Sequence, residues 1–280
     1  MKALRLFSMF ACVSLIAIAA HAQPAKEFKP EVGQQGKDVV WVPTSLALVN
    51  KMLDMAKATP SDFVIDLGSG DGRTVITAAK RGIKALGIEY NPDMVELSKR
   101  AAAKEGVTER ATFMKADLFE TDFSKATVIT MFLLPDINLK LRPKILGLKP
   151  GTRIVSNTFT MGEWEADETG TAASDEGSSY YRTALLWIVP AKVDGAWKSA
   201  SGELTFKQEF QKISGSINAG GVSTQVTGGK LRGDQISFSA GGAQYTGAVN
   251  GNTIIGTVTD RKSTRLNSSH IPLSRMPSSA

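Results

Sequence analysis

Apolar residues recur along this 280-residue chain with two different periods, and the period changes near residue 190. Before that point, short apolar runs alternate with helical stripes. The run 63–67, Phe-Val-Ile-Asp-Leu, reads as a buried strand, and a helical pattern follows over 74–81. Further strands are expected at 84–88, 112–115, 127–132 and 153–156, and a last one within 180–189. Pro92, directly after Asn91, opens a helix over 93–104. Another helix lies near 137–146, ahead of the Lys149-Pro150-Gly151 turn. An earlier one starts after Trp41-Val42-Pro43, capped by Thr44 or Ser45, with Leu46, Val49, Leu53 and Met55/Ala56 as its buried stripe. Such alternation implies an α/β fold, a parallel sheet with helices on both faces. Residues 161–179 are acidic, rich in Gly and Ser, and without apolar period. They read as a loop near a substrate mouth or a plain surface insertion.

After Pro190 the period falls to two. Aromatic and β-branched runs at 204–210, 213–217, 223–226, 235–239, 245–249 and 252–259 are separated by Gly, Asn and Ser, and Asn250-Gly251 is a hairpin signal. Residues 191–260 are therefore expected to form a small antiparallel β domain, a meander or an incomplete barrel. Its open edge would be a site of aggregation.

The two ends read differently. Over 1–22, Lys2 and Arg5 flank an apolar run that closes on Ala20-His21-Ala22, the pattern of a cleaved export signal. A periplasmic location follows as an expectation, with a retained membrane tether as the alternative. Residues 23–37 read as a linker and 38–190 as the main domain. Residues 261–280 have no period, no acids and many serines, and they resemble translated read-through of a sequencing adapter. They are expected to be a non-native tail, with the barrel's closing strand missing.

These ends distort the composition. Six of the 33 Lys and Arg residues lie in them and none of the 27 acids, so the stretch between is neutral. The basic balance is an end effect and gives no argument for nucleic acid. Both histidines (His21, His270) and Cys12 also lie in the ends. The core therefore lacks any imidazole base, thiol nucleophile or His/Cys metal site, and no metal is expected.

The candidate chemistry gathers where the first strand meets a glycine turn, Asp66-Leu67-Gly68-Ser69-Gly70-Asp71-Gly72. Such a turn brings bare backbone N–H groups to a ligand at a helix N-terminus. Glu89 ends the next strand, where a ribose diol is held in such folds, and Asp117-Leu118 follows the third. Asp66 and Asp71 beside the turn suit an ammonium or sulfonium better than a pyrophosphate. There is no Gly-x-x-x-x-Gly-Lys-Ser/Thr loop.

In these residues the chain resembles the class I S-adenosylmethionine-dependent methyltransferases. The resemblance implies a Rossmann-like sheet whose last strand is antiparallel, with S-adenosyl-L-methionine as cofactor. It implies that Asp66, Gly68, Ser69, Gly70, Asp71 and Gly72 hold the methionine part, Glu89 the ribose hydroxyls, and Asp117 with Leu118 the adenine. Trp41 to Thr44 would line the pocket. The acceptor is a protein or a small molecule. Met131-Phe132-Leu133-Leu134-Pro135 lacks the polar residue and the trailing aromatic found in enzymes that methylate nucleobases, and these stretches together look like a branch that includes small protein-lysine methyltransferases. Phe132 and Asn138 are the acceptor-side candidates, with core packing and a helix-surface position as their alternatives. An exported nucleoside-binding protein without turnover is the other function left open.

Overall fold

The computed structural model describes residues 28–173, 180–200, 202–260 and 268–276. The apolar run read as an export signal or tether lies outside them. Within them, helix α1 (Leu46–Met55) precedes β1 (Phe63–Leu67), α2 (Arg73–Lys80), β2 (Lys84–Glu89), α3 (Pro92–Lys104), β3 (Ala111–Lys115), β4 (Val128–Met131), α4 (Pro135–Leu146) and β5 (Arg153–Asn157). Two more strands, β6 (Glu168–Thr171) and β7 (Thr183–Ile188), complete a seven-stranded sheet of order β3-β2-β1-β4-β5-β7-β6. The first five are parallel, and β7 runs antiparallel to β5.

The local causes are those the sequence carries. Ser45 caps α1 by accepting from the Leu48 N–H, and Asn91 caps α3 with Pro92 in its first turn. Alternate strand residues bury opposite faces. Val64, Val128 and Val155 pack with α1 and α2, while Ile65, Ile129 and Ile154 pack with Ile137, Leu141 and Ile145 of α4. The Rossmann-like sheet with helices on both faces is thus present.

Two details differ from expectation. Leu46 is 55% exposed, and the buried stripe of α1 is Leu48, Val49, Met52 and Leu53. The helix begins at Leu46, so its first residue lies at the rim rather than on the core face. Strand β6, in the stretch read as a loop, has no buried apolar residue; it is a strand because the edge of β7 offers it a ladder.

The C-terminal part forms an eight-stranded antiparallel barrel from β8 (Gly195–Ser199), β9 (Gly202–Glu209), β10 (Lys212–Ala219), β11 (Val222–Arg232), β12 (Gln235–Ala240), β13 (Ala243–Asn250), β14 (Thr253–Asp260) and β15 (Ser268–Arg275). Trp197, Leu204, Phe206, Ile236 and Phe238 fill its interior. The expected open edge is corrected here, because β15, from the segment read as a foreign tail, closes the barrel. It pairs with β14 over seven residues and with β8 over two. The backbone ladder asks for no particular side chains, and Leu273, 7% exposed, meets the core. Sequence reading missed β8 because its one core residue, Trp197, sits among polar ones.

The barrel docks on the sheet domain through Phe210, which stacks on Trp164 at 6.0 Å, and through Lys212–Glu165 and Arg232–Glu168 ion pairs. This contact leaves the carboxyl ends of β1 to β4 free.

Candidate functional site

Strands β1, β2 and β3 are adjacent and parallel, so Asp66, Glu89 and Asp117 reach one edge of the sheet, as expected for an open α/β fold. They line a solvent-open cleft of about 1050 Å³. Gly68, Ser69, Gly70, Asp71 and Leu118 line it too; Gly72 lies behind it and caps α2.

The glycine turn is held from three sides. Its Gly68 and Ser69 N–H groups donate to the Ile88 carbonyl, and Ser98 of α3 donates to the Gly70 carbonyl. Glu89 accepts from the Gly70 N–H through Oε2 and from the Asn91 N–H through Oε1, both at 2.9 Å. Its carboxylate therefore clamps the turn to the start of α3 while facing the cleft. Gly70 and Gly72 adopt φ of +54° and +80°, a region that side chains reach only with strain. A Cβ on Gly70 would also lie 2.7 Å from Trp41 Nε1. Gly70→Ala is accordingly expected to destabilise the fold by about 1–2 kcal/mol and to weaken nucleoside binding several-fold by pushing the Trp41 wall aside. Denaturant titration beside calorimetric titration with S-adenosylhomocysteine checks both.

The acids differ in state. Asp66 is 6% exposed, and burial pushes its pKa up to about 7, against the opposing hydrogen bonds from Thr130 (2.6 Å) and Thr74. Asp71 has its carboxylate forked by the Arg73 guanidinium at 2.6 Å, and Arg73 also donates to the Thr44 carbonyl. Asp71 still lines the cleft. Asp117 accepts from the Phe119 N–H through Oδ1 and from Lys37 Nζ through Oδ2 at 2.5 Å; the Lys37 hydrogen bond, first, and that N–H hold its pKa below the usual carboxylate range.

Lys37 is a residue that sequence reading placed in a linker. In fact residues 33–41 form a short hairpin, closed by the Gln35–Val40 bridge and by the Gly33 N–H donating to the Trp41 carbonyl. This strap lies along the cleft, with the Lys37 ammonium 5.0 Å from the Tyr90 ring centroid. A lysine opposite a distant acid leaves no local signal in a sequence. Tyr90 was missed as well, although it directly follows the strand-end acid Glu89. Trp41, Val42, Pro43 and Thr44 do line the cleft, as the resemblance implied.

The residues fit a sulfonium nucleoside. Two carboxylates face the cleft where a diol and an exocyclic amine would need acceptors, and a third, Asp66, is desolvated and short of a cation. Ser69 lines the cleft, while its hydroxyl is buried against Gly87 of β2.

The acceptor-side candidates separate. Phe132 lines the cleft and is partly exposed. Asn138 does not line it. Instead of a helix-surface residue it is fully buried, and its amide donates to the Phe159 and Thr160 carbonyls at 3.3 and 3.1 Å. Its position on α4 faces the loop after β5, which these hydrogen bonds hold in place.

Comparison with known proteins finds methyltransferases. A family model described as ANTKMT methyltransferase domain matches residues 66–168. A protein-lysine N-methyltransferase of Saccharolobus islandicus is 47% identical over 154 residues, 54% of this chain and 94% of that protein. The adenine nucleotide translocase lysine N-methyltransferase of Mus musculus is 32% identical over 129 residues, 45% of this chain and 56% of that enzyme, so the chain spans little more than half its length. Among solved structures, an RNA methyltransferase from Salinibacter ruber in complex with S-adenosyl-L-homocysteine is 42% identical over 54% of this chain and 96% of that one, with a TM-score of 0.49.

Proposed function

The chain belongs to the class I S-adenosylmethionine-dependent methyltransferases, and from that premise we propose that its acceptor is the ε-amino group of a protein lysine. The observation that carries the proposal is the 47% identity to a protein-lysine N-methyltransferase across nearly all of that enzyme. The chemistry of the cleft supports it. S-adenosylmethionine, when bound, supplies a methyl group on a positively charged sulfur with a good leaving group. Asp66, Glu89 and Asp117 hold and orient the nucleoside, and Trp41 with Leu133 walls the cleft around it. The acceptor nitrogen gives its proton to water, then forms its bond to carbon as the carbon–sulfur bond breaks. Water in the solvent-open cleft takes that proton, so no side-chain base is required, which suits a sheet domain without histidine.

On the strength of Lys2, Arg5 and the apolar run that ends at Ala20-His21-Ala22, we also propose that the enzyme works outside the cytoplasm. One experiment addresses both proposals: mass spectrometry of envelope and cytosolic proteins from cells with and without the gene. The expected result is an added CH₂ on lysine, confined to envelope proteins. Methyl groups appearing only on other residues would sink the lysine acceptor, and increments confined to the cytosol would sink the location.

A further inference from the structure

Three aromatic rings pack together beside the cleft, and one of them, Phe132, lines it. Phe132 follows β4, Phe159 follows β5 and Tyr181 precedes β7, so the topology delivers all three to the same edge of the sheet. Their centroids form a triangle with sides of 5.9, 5.0 and 6.1 Å, and all three rings are partly exposed. None belongs to the two buried clusters that flank the sheet. Burial therefore does not account for the grouping, and Phe132 ties it directly to the cleft wall between Met131 and Leu133.

The backbone that presents Phe159 is held against its own preference. Thr158 has φ of +62°, an outlying conformation for a β-branched residue. It persists because its N–H donates to the Thr183 carbonyl at 2.7 Å and its hydroxyl to Asn157 Oδ1 at 2.9 Å. Buried Asn138 fixes the next two carbonyls. Strain kept by so many restraints gathers where position matters to function.

We propose that Phe132, Phe159 and Tyr181, packed ring against ring, form the acceptor subsite, a joined aromatic face beside the cleft along which the alkylammonium side chain of the substrate lies. This rests on the lysine reading above and deepens it. Ring faces attract a cation within about 6 Å of their centroids, and ring surfaces pack along a four-carbon stem. Oxygen and carboxylate acceptors gain nothing from such a surface, so it selects amines. Asn138 is a positioning residue for this face.

The test uses the full chain, with poly-L-lysine as methyl acceptor and calorimetric titration with S-adenosylhomocysteine as control. Phe159→Leu and Tyr181→Leu keep apolar bulk but lose the ring face. Each is expected to raise KM for poly-L-lysine at least tenfold and to leave S-adenosylhomocysteine affinity within twofold. Phe159→Tyr, which restores a ring, is expected to recover the wild-type KM. An unchanged KM in both leucine variants would overturn the aromatic subsite, as would a parallel loss of S-adenosylhomocysteine affinity, which marks a merely structural role. A wild-type protein that binds S-adenosylhomocysteine yet never methylates poly-L-lysine would instead overturn the lysine reading, and the subsite with it.

Discussion

Glu89→Ala is expected to weaken S-adenosylhomocysteine binding by between tenfold and a hundredfold while the chain stays folded. Two functions meet in this one carboxylate. Its oxygens clamp the Gly70 and Asn91 N–H groups, fixing the turn against α3, and its cleft-facing side is where the resemblance puts the ribose hydroxyls. A hydrogen bond to a charged group contributes about 1.5–3 kcal/mol, and each 1.4 kcal/mol or so is a factor of ten. Glu89→Gln should be less damaging, because one carbonyl oxygen still accepts. Calorimetric titration of the three proteins measures this; equal affinities would remove Glu89 from the site.

The second large effect is a dependence on pH set by Asp66. Its pKa rises from 3.8 to about 7 because burial penalises the charged form, with smaller contributions from Glu89 and Asp71. Between pH 4 and 7 the unfolded chain has already lost this proton while the folded one keeps it. The folded state binds more protons, so stability falls as pH rises through that window and levels off above it. A rise of this size corresponds to roughly 4 kcal/mol. Asp66→Asn keeps the shape without the titration, so the variant should gain on the wild type as pH goes from 4 to 8. Denaturant titrations at each pH test the difference between the two proteins, in which other groups cancel; parallel curves would refute it. The same group should make ligand binding stronger with rising pH up to about 7, because the α-ammonium that S-adenosylmethionine and S-adenosylhomocysteine share draws the proton off. Asp66→Asn should bind S-adenosylhomocysteine more weakly and without that slope. Stability and binding thus pull Asp66 in opposite directions.

Legibility varied with the range of the cause. The Asp66 to Gly72 stretch declared itself because strand, turn and helix start are local, and the φ values that demand glycine act on single residues. Glu89 and Asp117 could be placed because strand ends recur at intervals the chain displays. Asn138 could not be judged. Its spacing suits a helix surface, and only the packing of α4 against the loop after β5 buries it. Phe159 and Tyr181 were missed for the same reason. They lie 22 residues apart in the chain and meet Phe132 only because β7 reverses direction beside β5. Asp71, read as an acid for a ligand's cation, proves to be paired with Arg73, two residues away.

The sequence by itself determined the period of each element, the glycine turn, the three strand-end acids and the change from α/β to all-β near residue 190, since each depends on neighbours within a turn or a strand. Tertiary structure alone decided the rest. It laid the 33–41 hairpin along the cleft, set Lys37 on Asp117, desolvated Asp66 and closed the barrel with residues 268–275. Those outcomes come from long-range contact, burial and backbone pairing, which tie together residues that one-dimensional spacing keeps apart.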